Sequence, residues 1–275
     1  MGLKNDLLKE NLCEIKKLYE GAIKTNGTAG IHSLIRSSKL IMLIHNYIKE
    51  ELVAHGINPA FIYPPNGQNN PEIKFMGFLK GKNQDISVIP GNFQSEEITE
   101  GVLLGKTDQV GRSLSNKSIT INIRSQLSSI AKNFDTLYER TFAEALNLHL
   151  RLPELVLGEV YLIPLVAYDP SVMDDKRIAF KEPLPAMYIP AFQEINDRLN
   201  TESDDYKYER VCLLIIDFRT EIPTIINDVQ QIVDAGIISP EVAEKINLNN
   251  LTISSFVSDI LKIYESRHGS LDQLK

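Results

Sequence analysis

The chain has 275 residues, 43% of them apolar and 24% charged, with a formal net charge of −7. That length can bury a full core as one large domain or as a core with a smaller helical portion, and the composition excludes extended disorder. The net acidity excludes a uniformly basic nucleic-acid coat, though not a single cleft in which basic residues gather beside acidic ones.

Cys13 and Cys212 are far apart in the chain, which argues against a disulfide framework or a cysteine metal site and for a reduced compartment. Charge alternates with leucine at the N-terminus without the apolar core of a signal peptide, and no run approaches a membrane span. A cytoplasmic protein without membrane contact is the expectation.

In chain order, residues 3 to 24 carry an apolar stripe at helical spacing (Leu7, Leu8, Leu12, Ile15, Leu18, Tyr19, Ile23), and Asn26, Gly27 and Gly30 end it. A second helix is expected from about Ile31 to His55, with Gly56 at its C-terminal cap. His32, His45 and His55 read as ordinary helix-surface histidines. Residues 1–57 therefore form a helical portion packed on a core that occupies 58–275. The Pro- and Asn-rich stretch 58 to 71 reads as a loop, and 73 to 89 as a hairpin turning at Gly81-Lys82-Asn83, with Asp85 at the start of its second strand. Asp85 is either a turn residue making local hydrogen bonds or an acid placed for chemistry. Gly105-Lys106-Thr107 lacks the earlier glycine of a phosphate-binding loop, because position 100 is Glu100.

The centre of the chain is more specific. In SITINI, Ile119, Ile121 and Ile123 alternate with Thr120 and Asn122, the period of a half-buried strand with a polar face. A helix follows, marked by Phe134, Leu137, Tyr138, Phe142, Ala145 and Leu148, and then the apolar run LVLGEVYLIPLVAY. Strand, helix, strand implies a parallel pair with a site at the strand ends. A further strand is expected over Arg210 to Phe218, a helix opened by Ser239 and Pro240, and a last amphipathic helix from Ser254 to about Tyr264. The fold class is α/β: a mixed central sheet flanked by helices, with the helical N-terminal portion.

Hydrolysing a phosphodiester needs a metal ion, and two or three acids on neighbouring elements of a sheet can hold one. Asp85 or Asp108 ahead of the central strand, Asn122 and Arg124 on it, and Glu139 on the helix behind it fit those places. Each has a plainer reading: Glu139, Arg140 and Glu144 as a solvated helix face with an Arg140–Glu144 pair four residues apart, Asn122 as a surface residue, Glu159 and Asp217 as structural.

The segment TINIRSQLSSIAKNFDTLYERTFAEALNL resembles part of certain type II restriction endonucleases of the PD-(D/E)XK superfamily, in Ser125-Gln126, Asn133-Phe134, Arg140 and Glu144-Ala145. About 30 residues carry the detailed likeness. It implies a restriction-endonuclease-like fold and a Mg2+-dependent enzyme cutting double-stranded DNA at a specific site. It further implies a homodimer, paired in function with a DNA methyltransferase that protects the host. Where that pattern has an acid and a lysine, this chain has Asn122 and Arg124. Asparagine brings no charge and arginine stays protonated. Either the acid has moved to the helix as Glu139 or Glu144, giving Asp108, Asp85, Glu139 and Glu144 as the metal-ligand candidates, or catalysis is lost. Arg124, Lys132, Asn133 and Arg140 are the candidate DNA contacts. The alternatives are a nuclease-fold protein that binds DNA or protein without cutting, and a helical interaction module in residues 1 to 55.

Overall fold

A computed structural model describes residues 2–275, with side chains from Asp6 onward; Met1, the first residue of the expected helical portion, lies outside it. The first helix, α1, runs from Gly2 to Arg36, longer than the stripe predicts, because the chain kinks at Gly27 without ending there. Gly27 has φ 57°, and a Cβ at that position would stand 2.7 Å from the Met173 carbonyl oxygen, so only glycine lets the loop dock. Asp174 accepts the next N–H, that of Thr28, at 3.0 Å. The break between helices falls at Ser37-Ser38, and α2 spans Lys39–Ala54. Gly56 (φ 96°) follows its last turn, as expected.

Six strands make the central sheet, in the spatial order of the chain: β1 (Ile62–Tyr63), β2 (Ile86–Val88), β3 (Ile119–Ser125), β4 (Val156–Pro164), β5 (Arg210–Asp217) and β6 (Thr224–Ile226). β1, β2 and β3 are antiparallel neighbours, β3, β4 and β5 are parallel, and β6 returns antiparallel. The parallel step from β3 to β4 crosses over through α3 (Ile130–His149), and the last long helix, α4, spans Ile253–His268. The architecture is therefore mixed α/β with a mixed six-stranded sheet.

Two expectations are corrected at the sheet edge. Ile62 and Tyr63, inside the expected loop, pair with Val88 and Ser87 as an edge strand. The hairpin turns at residues 77 to 80, where the Gly77 N–H donates to the Lys80 carbonyl, and Gly81–Gln84 is its second strand, paired with Ile73–Met76. The chain then bends at Asp85 and enters the central sheet as β2.

The sheet is covered on both faces. Ile86, Ile119, Ile121, Ile123, Val160, Cys212 and Leu214 pack with the stripes of α1 and α2 and with Phe256 and Ile260 of α4. Gly158 permits the last contact, since a Cβ there would meet the Ile260 Cδ1 at 2.6 Å. The opposite face, with Leu157, Tyr161, Ile163, Leu213 and Ile215, lies under Phe134, Ala145 and Leu148 of α3 and the short helix Tyr188–Glu194. The apolar stripe of α1 and α2 is thus consumed by the core. The polar face of β3 is likewise not solvated: Thr120 and Asn122 are buried beneath α3.

Candidate active site

A polar cluster fills the space between the end of β3 and the middle of α3. Parallel pairing sets Asn122 opposite Glu159 of β4. On the other side Ile86 pairs with Ile121, so Asp85, one residue earlier, comes opposite Asn122 and donates its N–H to the Asn122 Oδ1 at 3.3 Å. Asp85, Asn122 and Glu159 therefore form a row across three strands. Glu144 comes down from α3, because its position faces the sheet.

Glu144 is the hub. Its Oε1 accepts from Asn122 Nδ2 at 3.0 Å and from Gln84 Nε2 at 3.2 Å. Its Oε2 accepts from Arg124 Nη2 at 2.8 Å and stands 2.9 Å from Lys82 Nζ. Arg124 also places Nε 2.5 Å from the Glu159 Oε1, without hydrogen-bond alignment, so both Glu159 carboxylate oxygens remain without a hydrogen bond inside the protein. Asp85 accepts the Ile123 N–H on Oδ2 at 2.7 Å, replacing the ladder partner that the bend removes from β3. Behind it on α2, His45 Nε2 lies 4.0 Å from the same oxygen, and neither His45 ring nitrogen has a hydrogen bond. The expectation of a helix-surface histidine fails for His45, which sits on the sheet-facing side of α2 and is buried. Solvent reaches the cluster through the side chains of Lys82, Asp85 and Arg124, which are 30%, 27% and 25% exposed.

Burial dominates the electrostatics. It pushes the Asp85 carboxyl up to about 6, against the Ile123 hydrogen bond, with Glu72 raising it further. It pushes Glu159 up to about 8 although Arg124 opposes the shift. The Glu159 charge drives the Arg124 guanidinium further above its ordinary value, and burial with Lys49 lowers His45 to about 4, so His45 is neutral near pH 7. For Glu159 the folded value lies above the ordinary 4.5. The native state therefore binds the extra proton, and this group's contribution to stability is lost as pH rises from about 4.5 through about 8. Glu159→Gln is expected to flatten the fall in stability across that window, read by denaturant melts at several pH values.

The structure brings together Asp85, Asn122, Arg124 and Glu144 from the expected set and adds Gln84, Lys82 and Glu159. It separates Asp108 and Glu139, and leaves Asp217 structural, as expected. Asp108 is buried in a small two-stranded sheet, pairing with Glu96, where its Oδ1 accepts the N–H groups of Val110 and Gly111 and its Oδ2 accepts from Arg151 Nη1 at 2.6 Å. Its oxygens are committed to that corner, so Asp108 is not the first acid of the cluster. Breaking a buried pair costs about 3 kcal/mol, so Asp108→Asn is expected to lower stability by that order in a thermal melt while leaving the Glu144 cluster unchanged. Glu139 is exposed, five residues before Glu144 and about 140° away round the helix. It has left the site by simple helical geometry. Asp217 is tied to Arg219 at 2.8 Å, a local pair.

Lys132, Asn133 and Arg140 are exposed on α3 and have no side-chain partner among the described residues. Arg140 does not pair with Glu144, which Lys82 and Arg124 have taken. Asn133, Arg140 and Glu144 nevertheless share one stripe of α3 about 40° wide, so the exposed pair leads along the helix towards the cluster. Of the resembling motif, Gln126 ties the end of β3 to the start of α3, donating to the Ser128 and Ser129 carbonyls and accepting from the Tyr161 hydroxyl. Phe134 stacks on Tyr138 and meets Tyr188 edge-on.

Among the described residues no three His, Cys, Asp or Glu side chains converge as a metal cage. Magnesium does not require one, since it commonly binds one or two carboxylates and completes its shell with water and substrate phosphate. Hard oxygen donors fit that chemistry, with Asp85 and Glu144 as the acids on the cluster's rim and hub. A separate cavity of about 520 Å³ lies beside the Asp108 corner, lined by Phe78, Glu96, Arg112 and Arg151. Its two arginines already have carboxylate partners, Arg151 Nη2 standing 3.5 Å from the Glu96 Oε1 and Arg112 Nη1 3.5 Å from the Glu100 Oε1.

The missed residues carried a signal. Glu159 is the one charge in the buried run Val156–Pro164, and such a charge needs a partner close by. Compared with family models, curated proteins and solved structures, the chain matches none.

Proposed function

We propose that this protein is a divalent-metal-dependent endonuclease of double-stranded DNA with a restriction-endonuclease-like core. The observation that carries this reading is the row Asp85–Asn122–Glu159 across β2, β3 and β4 with Glu144 lowered onto it from α3. It supports the first of the two outcomes left by the sequence: the acid missing from position 122 is supplied by the helix, as Glu144. Asp85 and Glu144 would hold the ion, which supplies a polarised water and neutralises the leaving oxygen.

The chain's own residues do the rest. Asn122 fixes the Glu144 carboxylate with one side-chain atom and the Asp85 backbone with another. Arg124 cannot serve as a base, and its permanent charge suits a phosphate oxygen. Asn133, Arg140 and Lys132 extend the contact along the duplex. The homodimer, the short recognition site and the companion methyltransferase follow from the resemblance and belong to this proposal.

The alternative, DNA binding without cutting, is favoured by one observation: Glu144 already accepts two amide donors and two cationic ones. An incoming cation must turn Lys82 or Arg124 away. The two readings separate in one experiment. Purified protein incubated with plasmid DNA and Mg2+ is expected to yield discrete fragments that disappear with a chelator; a gel shift with no fragments at any Mg2+ concentration would establish the alternative.

A further inference from the structure

Arg124 is gripped from two sides. Nη2 donates to Glu144 at 2.8 Å, and Nε stands 2.5 Å from Glu159. Nη1 has no hydrogen bond and is not among the buried atoms, so it is the edge of the guanidinium that solvent reaches. The two carboxyl groups come from different elements, α3 and β4, so between them they hold the fork from two sides. Neither Glu159 oxygen has a hydrogen bond, although the residue is completely buried. Buried carboxyl oxygens normally have partners, and Arg124 is the one cation in ion-pair contact with Glu159.

We infer that Glu159 is a positioning residue that sets the Arg124 guanidinium so that Nη1 meets a phosphate oxygen of DNA. The inference rests on the nuclease reading for its effect on rate, and on DNA binding alone for the contact itself. Planar guanidinium and phosphate match edge to edge, and a fork free to rotate loses that match. Rotation of the fork displaces Nη1 by an ångström or more, a misplacement that costs on the order of 10²-fold in rate.

Two variants isolate the role. Glu159→Met keeps the length and apolar volume of the side chain but offers no acceptor; Glu159→Gln keeps one acceptor oxygen. The expected result is a loss of about 10²-fold in kcat for Glu159→Met with KM nearly unchanged, while Glu159→Gln stays within about tenfold of the parent. If the Met variant cuts as fast as the Gln variant per folded molecule, the inference is wrong. Should the parent bind DNA without cutting, the cleavage reading fails separately and the contact is read from binding. There Glu159→Met should flatten the dependence of log K on log salt by about one phosphate contact, as Arg124→Ala does. An unchanged slope, or a parent that does not bind DNA, overturns it.

Discussion

On the proposed nuclease reading, Glu144→Gln is expected to abolish DNA cutting while DNA binding persists, a loss well beyond the 10–100-fold typical when only an outer-shell partner of a metal is removed. The substitution preserves shape but removes the charge that balances Lys82 and Arg124, and it turns one acceptor oxygen into a donor amide. At the Glu144 position every contact is a donor: Asn122 and Gln84 on one oxygen, Arg124 and Lys82 on the other. The new NH2 group therefore faces donors whichever way the amide is turned, unless Asn122 or Gln84 gives up its present contacts and turns as well. Asp85→Asn should behave alike, because Asp85 is the other acid at the rim and its backbone is fixed by Asn122. Glu139→Gln is the control. It changes the same charge on the same helix, on an exposed face, and should cut at the parental rate. Initial rates on a plasmid substrate, with gel shifts in Ca2+ for binding, provide the measurement. Equal loss in Glu139→Gln and Glu144→Gln would mean that overall charge, not this cluster, governs activity.

The parts of this arrangement that local pattern specifies were legible in the sequence. Alternation in SITINI located β3 and correctly put Thr120 and Asn122 on one face, and the strand-helix-strand order gave the parallel step to β4. What alternation cannot state is what covers the polar face. A polar face in water and a polar face beneath a helix have the same period, and the difference appears only when α3 is docked with Glu144 inward. The choice between Glu139 and Glu144 was of the same kind: both lie on α3, and only the rotation of the helix against the sheet separates them. Asp108 against Asp85 was a question of register, decided by the bend at Asp85 that carries the hairpin into β2. The two-residue strand β1 was hidden because its chain is rich in proline and asparagine, and two residues are too few for any periodicity. His45 was misread as exposed because α2 is covered on its sheet-facing side by a core that the helix sequence does not name.

The largest effect on stability is expected outside the candidate site. Glu209, just before β5, is completely buried and joins three elements: its Oε1 accepts from Arg198 Nη1 at 3.2 Å and from Arg267 Nη1 at 2.9 Å, and its Oε2 accepts the Leu157 N–H at 2.7 Å. His149, the last residue of α3, places Nε2 3.4 Å from Oε2. Removing the carboxylate leaves a buried Arg198 with only Asp205 as its counter-charge, at 2.8 Å, and takes from the Leu157 N–H its acceptor, while Arg267 keeps the Glu154 and Leu155 carbonyls. Breaking a buried network in this way costs about 3–5 kcal/mol, so Glu209→Ala should lower the melting temperature by about 10 °C. The acid limb gives a second reading. Burial alone would raise the Glu209 carboxyl, but His149, Arg267 and Arg198 hold it down to about 2. A group whose folded value is depressed stabilises the protein above its ordinary value and loses that contribution as pH falls from about 4.5 through about 2. Glu209→Gln, which keeps the volume and one acceptor, should be milder at pH 7 and should remove this part of the acid unfolding profile. Denaturant midpoints measured from pH 7 down to the acid limb test both. A Glu209→Ala variant as stable as the parent would mean that the guanidinium groups reach water when the carboxylate is gone, and that the network holds β4, β5 and α4 together far less than its burial implies.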